Sequence, residues 1–206
     1  MNKRADLIVL CDLGGVLIDL NWVSHARALF GASASPDYLK ERWLHLQSVK
    51  AFEAGKNSFA EFYRQFCTET GSNISMDAFK SEFIGILGDD KSDCVEVLTR
   101  ISSQYRLAML SNTNCLHIEV LKKTSQVFNF FDDLFFSYEL GMVKPDLQIF
   151  AAVCEKIGCK PSDILFFDDS AINVAAATDF GINAWRVDSP REIEKNLDLW
   201  QRSAVL

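Results

Sequence analysis

Ten residues near the start of the chain, Leu7-Ile8-Val9-Leu10-Cys11-Asp12-Leu13-Gly14-Gly15-Val16, leave few folds open. An apolar run of strand length, with no polar residue alternating in it, reads as a strand covered on both faces. That is the situation of a parallel sheet between helices. Asp12 then falls at the carboxyl end of the strand, the edge where open α/β sheets bind ligands. Gly14 and Gly15 follow at once, so the backbone can turn sharply and approach a ligand closely. The same residues also fit a plain buried strand followed by a turn. The rest of the chain separates the two readings.

After Val16-Leu17-Ile18-Asp19-Leu20 the character changes, and no strong strand is expected before about Asp89. Helix starts recur instead. Ser35-Pro36 sets a cap before proline, Ser58-Phe59-Ala60-Glu61 is a capping box, and Ser75 precedes a helix over Met76–Leu87. Phe59, Phe62 and Phe66 form one helical stripe, and Phe79, Phe83, Ile84 and Leu87 another, which reads as the core of a small bundle. Residues 22–88 hold seven Lys or Arg and seven Asp or Glu, so the formal charge of −7 lies entirely outside them. The expectation is a doubly wound, Rossmann-like α/β core over 1–21 and 89–206, interrupted by a helical cap over 22–88. Linkers are expected at Asp19–Trp22 and Gly88–Ser92.

Beyond the insertion, strands and helices alternate. A helix over Ser92–Ser103, with Val95, Leu98 and Ile101 inward, precedes a strand over Arg106–Ser111 and a helix to about Lys123. A short strand Leu134–Ser137, a helix Asp146–Ile157 and a strand Ile164–Phe167 come next. A helix Ala171–Thr178, a strand Asn183–Val187 and a helix Pro190–Trp200 close the pattern.

With 206 residues, 49% of them hydrophobic and 24% charged, the chain is globular, and its net charge of −7 argues against a nucleic-acid partner. No apolar run reaches membrane-spanning length, and Leu7–Leu10 is too short for a signal-peptide core, so a cytoplasmic protein is expected. A monomer is the expected state. The six cysteines include no C-x-x-C pair and read as free thiols. The three histidines are scattered without metal-ligand spacing.

Four polar groups stand just after strands: Asp12, Ser111 with Asn112, Lys144 before Pro145, and Asp168 with Asp169. A doubly wound sheet brings such positions to one edge. Three carboxylates and one amine meeting there are costly without a ligand. Mg²⁺, which takes hard oxygen donors, suits Asp12, a nearby backbone carbonyl and Asp168. A hydroxyl, an amide and an ammonium beside that ion match the oxygens of a phosphate group.

The set Asp12-Leu13-Gly14-Gly15-Val16, Leu110-Ser111-Asn112-Thr113-Asn114, Gly141-Met142-Val143-Lys144-Pro145 and Phe167-Asp168-Asp169 with Asn173 resembles the four motifs of the haloacid dehalogenase superfamily. Within it, the chain looks like the phosphatase branch that includes bacterial α-glucose-1-phosphate phosphatases and the phosphatase domain of soluble epoxide hydrolases. The resemblance implies an Mg²⁺-dependent phosphatase acting on a small phosphorylated metabolite. It implies that Asp12 attacks phosphorus to form an aspartyl-phosphate. It also implies that Asp12, Asp168 and the Gly14 carbonyl hold Mg²⁺ with help from Asp169. Ser111, the Asn112 backbone and Gly15 would bind the phosphate group, and Lys144 would neutralise its charge.

One position departs from the pattern. Most phosphatases of the superfamily carry a second aspartate two residues after the nucleophile, which protonates the leaving oxygen and later activates water. Here that position is Gly14. Asp19, or a cap residue such as His45 or Glu53, are possible substitutes. The reading preferred from sequence is a substrate whose leaving group needs little protonation, such as an acyl phosphate or an anomeric sugar phosphate. The competing functions are a binding homologue that turns nothing over, a metal-independent dehalogenase in which Asp12 attacks carbon, and a phosphomutase.

Overall fold

The computed structural model describes residues 4–30 and 34–203. In chain order the first elements are β1 (Arg4–Cys11), β2 (Ile18–Leu20), α1 (Trp22–Phe30), α2 (Pro36–His45), α3 (Gln47–Glu53), α4 (Phe59–Thr70), α5 (Met76–Gly85) and β3 (Leu87–Asp90). There follow α6 (Cys94–Ser102), β4 (Tyr105–Ser111), α7 (Cys115–Thr124), β5 (Asp133–Phe136), α8 (Ser137–Leu140) and α9 (Leu147–Ile157). The last are β6 (Ile164–Asp168), α10 (Ala171–Asp179), β7 (Asn183–Arg186) and α11 (Pro190–Ser203).

Five strands form a parallel sheet in the order β5-β4-β1-β6-β7. The unbroken apolar run places β1 at its centre. Val9 and Cys11 pack on one face, with Leu98, Ile118 and Ile193 from flanking helices. Ile8 and Leu10 pack on the other, with Phe150, Val153 and Ala177. The chain winds outward from β1 through β4 to β5, then crosses back to β6 and β7 on the opposite side. This reversal beside β1 opens a crevice at the carboxyl edge. Cys11 is level with both Met109 and Phe167, so the residues after all three strands emerge together.

Helices α1–α5 enclose an aromatic core of their own. Phe62, Phe66 and Phe79 are completely buried, and Phe52 stacks on Phe62 with ring centroids 4.5 Å apart. Edge and offset contacts of this kind add about 0.5–1.5 kcal/mol per pair beyond the burial itself. The Ser58 capping box forms as expected: the Glu61 carboxylate accepts from Ser58 N at 2.8 Å while Ser58 Oγ accepts from Glu61 N. Ser35 and Ser75 cap α2 and α5 in the same way.

Three details differ from expectation. The segments read as linkers pair instead, with β2 and β3 forming an antiparallel ribbon. Strands of three and four residues are too short to show alternation. The α5 helix stops at Gly85, so Ile86 takes the buried place assigned to Leu87, which begins β3. In α6 the inward face is Cys94, Val97, Leu98 and Ile101, while Val95 is 39% exposed. It lies one residue off that row. Among the described residues the cysteines are free and no helix is long and apolar enough to cross a membrane.

Candidate active site

Asp12 leaves β1 with its backbone N–H bonded to the Phe167 carbonyl at 2.8 Å, which ties it to the end of β6. One carboxylate oxygen from each of Asp12, Asp168 and Asp169 lies within 4.8 Å of the others. Lys144 reaches into this group from the loop before α9. Its Nζ lies 3.0 Å from Asp12 Oδ1 and 2.6 Å from Asp168 Oδ2, and donates to the Leu110 carbonyl at 2.9 Å. The three ammonium protons therefore have three acceptors. Lys144 and Asp168 are buried, and Asp12 is nearly so.

The polar frame around these groups is closely held. Asp168 accepts from Ser170 N at 2.8 Å, and the Asn173 amide donates to both of its oxygens, at 3.0 and 3.1 Å. Asn112 grips the backbone of Lys144 from both sides: its Oδ1 accepts from Lys144 N at 2.8 Å and its Nδ2 donates to Lys144 O at 2.9 Å. Ser137 Oγ does the same for Thr113, and Asn114 caps α7 by accepting from His117 N. Gly15, at φ +79°, is where Asp169 passes. A Cβ there would lie 2.8 Å from Asp169 Oδ2, so a side chain would displace that carboxylate.

Burial pushes the Asp12 carboxyl up to about 7. Lys144 pulls it back, while Asp168 and Asp169 push it further. Asp169 is also raised, first by burial and then by Asp168, with Lys40 and Lys144 acting against the shift. Burial opposes the charge on Lys144, yet Asp12 and Asp168 outweigh it and hold the ammonium above its ordinary value. Three carboxylates facing one ammonium leave an excess of negative charge in a buried place, a setting that favours a cation.

The structure thus gathers Asp12, Lys144, Asp168 and Asp169 directly, with Gly15 against Asp169. Ser111 is buried at the end of β4, and Asn112 follows it on Lys144. Asp19 is not in the group: its carboxylate is exposed and lies 3.6 Å from Lys91 Nζ. His45 is exposed on the last turn of α2. Glu53 behaves differently. It is half-buried at the end of α3, where burial raises its carboxyl to about 7 and both Lys144 and Asp12 act on it. Sequence reasoning missed the side-chain grip of Asn112 on Lys144 and the hold of Asn173 on Asp168. For the latter the signal was the place of Asn173 in the motif that follows Asp168-Asp169, which named the residue but not its bond.

Residues 7–181 match the family model of haloacid dehalogenase-like hydrolases. The chain is 23% identical over 196 residues to a D-ribitol-5-phosphate phosphatase from Bacteroides thetaiotaomicron, covering 92% of this chain and 95% of that one. It is 29% identical over 106 residues to an (S)-2-haloacid dehalogenase from Burkholderia cepacia, covering 50% of this chain and 46% of that one. A crystal structure of a HAD family enzyme from Bacteroides thetaiotaomicron, in complex with magnesium and inorganic phosphate, superposes with a TM-score of 0.72 at 29% identity. That match covers 87% of this chain and 93% of the other. With a matching model over most of its length and the acidic cluster at the expected sheet edge, the chain belongs to the haloacid dehalogenase-like hydrolases.

Proposed function

We propose that this protein is an Mg²⁺-dependent phosphatase that hydrolyses a small phosphorylated metabolite through an aspartyl-phosphate on Asp12. The observation that carries the reading is the buried Lys144 held between Asp12 and Asp168, with Asp169 completing an all-oxygen acidic cluster. The donor set fits Mg²⁺. Asp12, Asp168 and the Gly14 carbonyl would hold the ion, with Asp169 beside them, and it would supply positive charge next to the phosphoryl oxygens.

The chain's own groups do the rest. The Asp12 oxygen not bonded to Lys144 attacks phosphorus, and Lys144 stabilises the charge that builds on the transferring group. Ser111 and the backbone at Asn112 and Gly15 orient the phosphate. Such transfer rests on positioning and charge stabilisation, which a site of rigidly bonded charges provides. The phosphatase and the magnesium- and phosphate-bound relative support this reading over a metal-independent dehalogenase, in which the Asp168-Asp169 doublet is hard to explain. Residues 22–88 would act as a cap that shields the site and selects the substrate.

The test is hydrolysis of p-nitrophenyl phosphate with and without Mg²⁺, comparing wild type with Asp12→Asn. Turnover that requires both Mg²⁺ and Asp12, with a drop of roughly 10⁴-fold or more in the variant, is expected. Equal rates for the two proteins across a wide Mg²⁺ range would favour a binding homologue.

A further inference from the structure

The proposed reaction lacks a proton donor on the sheet side, because Gly14 stands where an acid would be needed and Asp19 points to Lys91. We propose that Glu53, carried on the cap, is the catalytic acid and base of this site; the proposal rests on the phosphatase reading above.

The argument starts from how α3 is seated. Phe52 is buried and stacked on Phe62, and Ala54 is buried as well, so the residue between them has little freedom to move. The turn that follows is bound back on α3, with Gly55 N bonded to Phe52 O at 3.0 Å and Lys56 N to Ala51 O at 2.9 Å. Gly55, at φ +66°, lies directly on the core. A Cβ there would stand 2.2 Å from the Tyr138 carbonyl of α8. The end of α3 is thus pressed onto the segment leading to the Lys144 loop, with no clearance between them. Glu53 sits at this seam without a hydrogen-bond or ion-pair partner among the described residues, within the electrostatic reach of Lys144 and Asp12. A half-buried carboxyl left unpaired at the seam beside a reaction centre is poorly explained by structure alone. Its tendency to stay protonated near neutrality, with burial the main cause, suits a donor.

In-line transfer sets the leaving oxygen on the side of phosphorus opposite Asp12. The proposal assigns that side to Glu53. In the first step the Asp12 oxygen bonds to phosphorus, the bond from phosphorus to the leaving oxygen breaks, and the Glu53 proton passes to that oxygen. Glu53 is left as a carboxylate. In the second step it takes a proton from water as the water oxygen bonds to phosphorus. The bond from phosphorus to Asp12 then breaks, releasing inorganic phosphate and restoring the Glu53 acid. Acid and base are thus supplied by the cap, so turnover is possible only when the cap is seated.

The experiment compares kcat/KM of wild type, Glu53→Gln and Glu53→Asp on phenyl phosphate and p-nitrophenyl phosphate, with Mg²⁺ present. kcat/KM reports steps up to release of the leaving group, and p-nitrophenolate departs without a proton far more readily than phenolate. Glu53→Gln is expected to lose roughly 10²–10⁴-fold on phenyl phosphate and at least about tenfold less than that on p-nitrophenyl phosphate, with part of the loss recovered in Glu53→Asp. An equal loss on both substrates, or no loss on either, overturns the proposal while leaving the phosphatase reading intact. Wild type no faster than Asp12→Asn on p-nitrophenyl phosphate removes the phosphatase reading itself.

Discussion

On the sheet side of the site three of the central charges have fixed partners: Lys144 binds Asp12, Asp168 and the Leu110 carbonyl, and Asp168 binds Asn173 and Ser170. On the cap side, Glu53 and Lys40 have no hydrogen-bonded partner among the described residues and reach the site only through their fields, Glu53 toward Lys144 and Asp12 and Lys40 toward Asp169. Under the proposed reaction the difference separates two tasks. Groups that must stabilise a transition state are held in place before the substrate arrives, which lowers the reorganisation needed during reaction. In the proposed reaction, the groups that would meet the variable part of the substrate, or exchange a proton with it, stand unpaired on the helical segment.

The strongest way to break this contrast is to remove the cation that organises the sheet half. Lys144→Met keeps most of the side-chain volume but leaves Asp12 and Asp168 buried without their shared partner. Breaking a buried pair in this way costs about 3–5 kcal/mol, so a clear loss of stability is expected in metal-free protein by urea unfolding. Added Mg²⁺ should recover part of it, since the ion would then be the remaining positive charge. Turnover should fall by roughly 10²–10³-fold, as for loss of one group that stabilises developing charge. Unchanged stability would mean that the pairs contribute nothing net in solution and that the sheet half is not prearranged.

A smaller effect is expected one bond further out. Asn173→Ala removes the amide that holds both oxygens of Asp168 but leaves the Ser170 and Lys144 bonds in place. Partners that orient metal ligands are typically worth about 10–100-fold in metal affinity or activity. The loss here should appear mainly as a higher Mg²⁺ concentration for half-activation. A loss that saturating Mg²⁺ does not repair would place the role of Asn173 in folding.

The same contrast governs what could be read in the sequence. Asp12 and Asp168 were legible because one directly follows a strand and the other ends one, positions a parallel sheet aligns whatever the loops do, while Lys144, in the turn between α8 and α9, was legible through the motif it completes. The aromatic stripe through Phe62, Phe66, Phe79 and Phe83 was legible because helical periodicity is local. The β2–β3 ribbon was not, since its short strands carry no pattern and its pairing joins residues far apart in sequence. Nor was the inward face of α6, where Val95 and Val97 are chemically alike and only the packing row distinguishes them. Glu53 could be named as one possibility among several. Its setting depends on contacts such as Gly55 on Tyr138, which no motif announces.

The second cap contact offers the mildest and sharpest probe. His117 on α7 bonds through Nε2 to the carbonyl of Phe83 on α5 at 2.9 Å, and its ring stacks on Phe83 with centroids 4.2 Å apart. Burial lowers its value to about 4, with the bond to the Phe83 carbonyl acting the other way, so the ring is neutral near neutral pH. A base whose folded value lies below its unfolded value is protonated first in the unfolded chain. Its share of stability is therefore complete above about pH 6.5 and is lost as pH falls toward 4. Glu53 has the opposite sign: a carboxyl raised from 4.5 to about 7 makes stability fall as pH rises through that window. The two partly cancel in wild type, so the informative quantity is the stability of wild type minus that of His117→Phe, measured by urea unfolding in metal-free protein from pH 4 to 8. That difference should shrink by roughly 1–2 kcal/mol between pH 7 and 4, a figure reduced for the ring's remaining contact with solvent. Parallel curves for the two proteins would mean that His117 is not enclosed in solution, and that the cap is not seated at this contact.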